Sequence, residues 1–194
     1  KEEDFKFTGI TGQTIKNMEL KGATLKISTG LGSYSILAEL FKIDEIAERF
    51  GDNVILREIL VDIEITRGDD ETVKLVEDIA SKDNFIVVAP PVEVSIECNY
   101  KGRKIIVDRF SAPVETIIPV PKGVNPEEIT TAISIEDDGS IQHAITSIIQ
   151  EDDTPYAVIT SFSNGTYALV WNNVKFEDVV NHWSKEYVNE MGSR

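Results

Sequence analysis

The strongest constraint on this chain is a repeated alternation of apolar and polar residues with period two. Ala23, Leu25 and Ile27 alternate with Thr24, Lys26 and Ser28. Ile59, Val61, Ile63 and Ile65 alternate with Leu60, Asp62, Glu64 and Thr66. Val92, Val94, Ile96, Cys98 and Tyr100 alternate with Glu93, Ser95, Glu97 and Asn99. Side chains on a strand point to opposite faces in turn, so each run predicts a strand with one packed and one wet face. Further runs fall at 85–88, 104–110, 114–120, 132–135, 141–149, 156–162 and 166–171. Most are rich in β-branched residues, which suit a pleated, half-buried surface.

Turn chemistry separates these runs. Lys101-Gly102 reads as a tight hairpin turn, and Asp137-Asp138-Gly139-Ser140 supplies a glycine for a positive φ. Asn164-Gly165 predicts the tip of the last hairpin. Many short strands with few helices predict a mainly β chain, built as antiparallel β-sandwich units. Three helical stretches are expected. Ile43, Ile46, Ala47 and Phe50 share a helical face ahead of Gly51. Val73, Val76 and Ala80 do the same within 72–80. Trp183, Tyr187 and Met191 recur every four residues in a C-terminal helix, with Asn181 as its N-cap.

Proline cannot donate to a ladder, so Pro90-Pro91 and the run Pro119 to Pro126 punctuate the strands. The second break predicts a β-sandwich unit at 1–120 and a smaller β unit at 121–175 packed on it. A separate beginning, 176–194, follows. The opening Lys1-Glu2-Glu3-Asp4 is neither an initiator methionine nor a signal peptide. The expectation is a piece of a longer chain, with any export signal outside it.

Charge narrows the partners. Asp and Glu number 34 against 19 Lys and Arg, a net charge of −15 over 194 residues, with a pI near 4.5. Nucleic acid needs a basic face, so it is not an expected partner. An anionic membrane surface is disfavoured for the same reason. No apolar run is long enough for a membrane span. An apolar content of 41% is too high for a disordered chain.

Motifs for catalysis are sparse. One cysteine, Cys98, excludes an internal disulfide, and it reads as a small buried apolar residue. His143 lies in a strand and reads as a packed or hydrogen-bonded side chain. The common hydrolase, phosphate-loop and zinc-protease signatures are missing, so the chain is not expected to be an enzyme. Acidic runs stand at Asp69-Asp70-Glu71, Asp137-Asp138 and Glu151-Asp152-Asp153. A glycosidase needs carboxylates facing across a cleft, which adjacent acids do not give. Calcium would suit such oxygen-rich loops, but the loop-type calcium spacing is absent. Solvated acidic turns and no cofactor are expected. Tyr34, Tyr156, Phe162, Tyr167 and Trp171 could form a sugar-stacking platform, although Leu169 between Tyr167 and Trp171 points to core packing. Asn164-Gly165-Thr166 fits both an N-glycosylation sequon and a turn, and the turn is preferred.

The most specific stretch is Phe176-Glu177-Asp178-Val179-Val180-Asn181-His182-Trp183-Ser184-Lys185-Glu186-Tyr187-Val188. It resembles the opening of an S-layer homology (SLH) repeat: Phe-x-Asp-Val, two variable residues, His-Trp, a small residue, then an apolar helix face. Phe176, Asp178, Val179, His182, Trp183, Lys185 and Val188 carry the match. Upstream, Leu31-Gly32-Ser33-Tyr34, Ala80-Ser81-Lys82 and the strand pattern of 114–171 look like the β module that precedes SLH repeats in many Firmicutes surface proteins.

The resemblance implies a secreted protein of the cell wall or S-layer. In the family, assembled SLH repeats bind secondary cell-wall polysaccharide without a covalent bond. Only the first helix of one repeat is matched here, and the Thr-Arg-Ala-Glu-like element that supplies a ligand-contacting Arg is missing. Phe176, Asp178, His182 and Trp183 would therefore form an incomplete anchor motif. Phe176 and Trp183 are expected to pack the short helix, and Asp178 to cap or orient its start. The resulting expectation is a non-catalytic extracellular spacer or display module beside an SLH anchor, with self-association in a surface layer compatible with it. The alternative is a carbohydrate-binding module of a wall-associated protein or enzyme.

Overall fold

A computed structural model describes residues 5–136 and 140–193. In chain order the elements begin with β1 (Phe5–Thr11), α1 (Gly12–Glu19), β2 (Thr24–Ser28), β3 (Ser33–Leu37), α2 (Ile43–Phe50) and β4 (Leu60–Arg67). Next come α3 (Asp70–Asp83), β5 (Ile86–Val87), β6 (Val92–Tyr100), β7 (Arg103–Ile106) and β8 (Arg109–Pro119). The last are β9 (Thr131–Ile135), β10 (Ile141–Glu151), β11 (Thr154–Ser163), β12 (Gly165–Trp171) and α4 (Lys185–Ser193). The protein is mainly β and antiparallel, with few short helices and a C-terminal helix, as the period-two pattern predicts.

Two compact units are present, each assembled from separated stretches. The first is Lys1–Arg67, Val92–Ile118 and Thr160–Gly165; the second is Gly68–Pro91, Pro119–Ile159 and Thr166–Arg194. One crossing, at Ile118, lies beside the break expected at residue 120. The others follow from where α3 buries its apolar face. Val76 of α3 joins Ile133 and Ile135 of β9 and Ala168 and Val170 of β12 in one buried cluster. Residues 68–91 thus pack with strands that come much later in the chain.

In the first unit, β4 lies between β1 and β6, and β6 carries β7. Val61 faces Cys98, Ile63 faces Ile96 and Ile65 faces Val94 across β4 and β6, and all six are buried. The opposite face is wet. There Asp62 faces Glu97, a like-charged pair that costs stability alone. Lys104 meets Glu97 at 2.9 Å, and Lys6 of β1 pairs with Glu64. A second strand group runs β2-β3-β8 and buries Ile27, Tyr34, Ile36, Val114 and Ile118. In the second unit the order is β5-β12-β9-β10-β11.

The hairpin turns are partly those expected. Lys101 and Gly102 both have positive φ (49° and 83°) between the paired ends of β6 and β7. This is the signature of a type I′ turn, whose twist matches that of the strands. Asp152 and Asp153 repeat it, at 46° and 62°, between β10 and β11. The acidic run there is a hairpin turn. Asn164-Gly165 is not a hairpin tip: β11 and β12 do not pair. Asn164 keeps a negative φ, so a type I′ turn cannot form. Its backbone N–H instead donates to the Asp108 carbonyl at 2.8 Å, and its side-chain amide to that of Val107 at 3.2 Å. The turn expected at Asp137-Asp138-Gly139 lies outside the described residues.

Two early elements are not visible in the pattern. β1 is an edge strand with exposed Phe5 and Phe7, and Gly9 (φ +97°) marks a register shift in it. α1 has no apolar period. It buries Ile15 and Gly12, and its Thr11 cap accepts from the Thr14 N–H at 3.2 Å. A Cβ on Gly12 would stand 2.8 Å from the Leu56 carbonyl oxygen, so close packing demands glycine.

Candidate functional site

The stretch from 172 to 193 forms a small C-terminal assembly in the second unit. After β12 the chain runs to a single 3₁₀ turn, Glu177–Val179, and then α4. Local side-chain bonds tie the two together. The Val174 N–H donates to Ser193 Oγ at 2.9 Å, and Ser193 Oγ donates to the Asn189 carbonyl at 2.7 Å. The Phe176 N–H donates to Asn189 Oδ1 at 3.0 Å. Backbone donors outside regular structure thus find partners on α4 rather than water. The Phe176 ring lies on Gly192: a Cβ there would sit 2.4 Å from Phe176 Cε2. Phe176 therefore packs on the helix.

The start of α4 differs from expectation. The helix begins at Lys185, not directly after an Asn181 cap. His182 organises the turn before it. The Ser184 N–H donates to His182 Nδ1 at 3.3 Å, with Ser184 Oγ 2.7 Å from the same atom. The Lys185 N–H donates to the His182 carbonyl at 3.1 Å. Nδ1 is thus the acceptor, and the ring proton of the neutral tautomer lies on Nε2. Asp178 is exposed and caps nothing among the described residues: the 3₁₀ turn has Phe176 at its N-cap position, without a side-chain bond.

Trp183 does not pack into the protein. It is 83% exposed, Tyr187 67% and Met191 79%. Its neighbour is the His182 ring, 5.5 Å away between centroids. Within α4 the period is carried by Tyr187 and Met191, whose face points to solvent; Trp183 lies in the turn before the helix, and Val180 is exposed as well. α4 is held through Val188, Asn189 and Ser193, so polar bonds seat the helix and the apolar stripe stays open. Glu186 and Glu190 are exposed on the same helix.

The other candidate residues have structural places. Cys98 is buried, and burial pushes its thiol up to about 12. His143 Nε2 lies 2.7 Å from Thr131 Oγ1, whose one proton has the Ala144 carbonyl to go to at 3.1 Å. The Nε2–Oγ1 hydrogen bond ties β10 to β9. Asp69 caps α3, accepting from the Thr72 N–H at 2.8 Å, and that bond holds its carboxyl below the usual range. Among the described residues, no group of three or more His, Cys, Asp or Glu side chains is placed to hold a metal ion. Tyr34 and Tyr167 are buried, Tyr156 and Trp171 half-buried, and Phe162 exposed. Tyr34 and Tyr167 thus serve packing rather than a platform.

The helix-start role of His182 and the anchoring by Asn189 and Ser193 carried no sequence signal, because each depends on a bond to a neighbouring turn. Comparison of the chain with protein-family models, curated proteins and solved structures gives no match.

Proposed function

We propose that the chain is a non-catalytic extracellular β module of an S-layer or cell-wall-associated protein. It spaces or displays neighbouring domains beside an SLH anchor. The observation that carries this reading is the C-terminal assembly. The string from Phe176 to Val188 resembles the opening of an SLH repeat and leads through a 3₁₀ turn into the short helix α4, which is fastened by Phe176, Asn189 and Ser193. Its apolar stripe, Trp183, Tyr187 and Met191, is left open for a neighbour. A complete repeat offers such a neighbour.

Support also comes from the residues with reactive side chains. Cys98 is buried and His143 ties two strands. The charge of −15 gives no attraction to an anionic wall polymer, so adhesion falls to the repeats. Sedimentation with purified cell wall tests the proposal. The chain extended by complete SLH repeats should pellet with wall that carries its secondary polysaccharide. The 194-residue chain alone should stay in the supernatant. Strong retention of the short chain would refute this division of labour.

A further inference from the structure

A pocket of about 230 Å³ opens in the first unit between α2 and the turn from β7 into β8. Its buried floor is Leu40, Phe41 and Ile46. Its rim carries three cations, Lys42, Arg49 and Arg109, against two carboxylates, Glu45 and Asp108. The sign is unusual for a chain of net charge −15. Lys42 pairs with Glu45 at 3.5 Å. Among the described residues no salt bridge involves the exposed Arg49 guanidinium, whose charge also acts on the Cys98 thiol.

The pocket is also built. Lys42 stands in the left-handed region (φ 50°, ψ 49°), where a β-carbon is strained, between the 3₁₀ turn Ala38–Phe41 and α2. The opposite wall is pinned on both sides. The Val107 N–H donates to the Ile96 carbonyl at 2.9 Å, and Asn164 binds the Val107 and Asp108 carbonyls. Walls held this way keep their shape without a ligand.

We propose that this pocket binds a small organic carboxylate with an apolar body. The body fits Leu40, Phe41 and Ile46, and the carboxylate takes a charge-assisted, forked bond from Arg49. The volume lies below the ~300–1,000 Å³ of drug-sized ligand sites, which limits the body to a few carbons. Such a carboxylate could be a free acid or the terminus of a peptide, and the shared chemistry is what the site reads.

Amide NMR titration of the whole chain tests this, with 4-methylpentanoate as the probe. Resonances of residues 40–49 and 106–109 should shift saturably, with half-saturation at millimolar probe. The isosteric neutral 4-methylpentanamide should leave them in place. Arg49→Gln should weaken binding roughly tenfold to a hundredfold, the usual worth of a charged hydrogen bond. Glu45→Gln and Asp108→Asn should tighten it, a sign that loss of fold cannot produce. A blocked peptide ending in a free leucine carboxylate identifies the source: tighter binding than the free acid points to a chain terminus, and weaker binding to a free acid. No saturable shift at ten times the expected half-saturation, equal response to the amide, or an unchanged Arg49→Gln titration overturns the proposal.

Discussion

Replacing Gly32 by alanine should destabilise the first unit by several kcal/mol, and the structure says why. Gly32 sits at φ +153°, where an L side chain is strained. A Cβ there would stand 2.4 Å from the Ile117 carbonyl oxygen. That atom is backbone on β8, and Ser33 pairs with Ile117 in the β3–β8 register. Relief therefore requires one strand to move against the other. The unfavourable φ costs roughly 1–3 kcal/mol. Forcing extra volume into a packed site adds about 1–3 kcal/mol. Alanine also narrows the unfolded ensemble, which offsets about 0.4–1 kcal/mol. The net loss is about 2–5 kcal/mol. Gly22→Ala is the internal control. Gly22 also has positive φ, +59°, but nothing lies within 4 Å of its added Cβ. Its cost is the left-handed backbone alone, about 1 kcal/mol. Urea unfolding followed by far-UV circular dichroism is the assay, because both tryptophans, Trp171 and Trp183, belong to the second unit. With a slope of roughly 2 kcal/mol per molar, Gly32→Ala should lower the urea midpoint by about 1–2.5 M. A midpoint equal to that of Gly22→Ala would refute the close-approach argument.

Trp183→Ala should change stability by no more than ~0.5 kcal/mol, since the side chain is 83% exposed; a calorimetric loss well beyond that would mean the indole packs. Gly192→Ala should push the Phe176 ring aside and ease local opening of α4 by about 1–2 kcal/mol. Hydrogen exchange of residues 185–193 should then speed up while β4 and β6 exchange unchanged. Cys98 should be inert to a thiol-exchange reagent at pH 8 in the folded protein and react once on unfolding, because burial pushes the thiol up to about 12. Asp69→Ala should lower the melting temperature above pH 5 but not near pH 2. The Asp69 carboxyl is held low in the folded state by the Thr72 N–H. Its contribution is present above the unfolded value of about 3.9 and disappears as pH falls through the lower folded one.

Much of the fold is legible in the order of residues. Alternation over 59–65 and 92–98 specifies two strands and the face each buries, because a strand has a side-chain period of two. Helix α2 was legible too, and the middle of α3 at 72–80, since their apolar residues fall on one side of a 3.6-residue turn. Local glycine chemistry predicted the Lys101-Gly102 hairpin. β1 and α1 were not legible. An exposed edge strand and a helix with one buried apolar residue carry almost no pattern.

Tertiary contacts decided the rest. The same Asn-Gly signal that makes a hairpin elsewhere became a bracket, because the Val107 and Asp108 carbonyls offered Asn164 better partners than a turn. The Trp183, Tyr187 and Met191 period announced a C-terminal helix, but only Tyr187 and Met191 lie on it, with Trp183 in the turn before Lys185. A periodic stripe says which residues share a face, not which way that face is turned. The direction was settled by hydrogen bonds from Val174 and Phe176 to Ser193 and Asn189 on the other side. The sequence alone thus determined the β class and the strand faces. Which stretches gather into one compact unit, and which apolar face remains open, depended on partners far away in the chain, and local pattern holds no record of them.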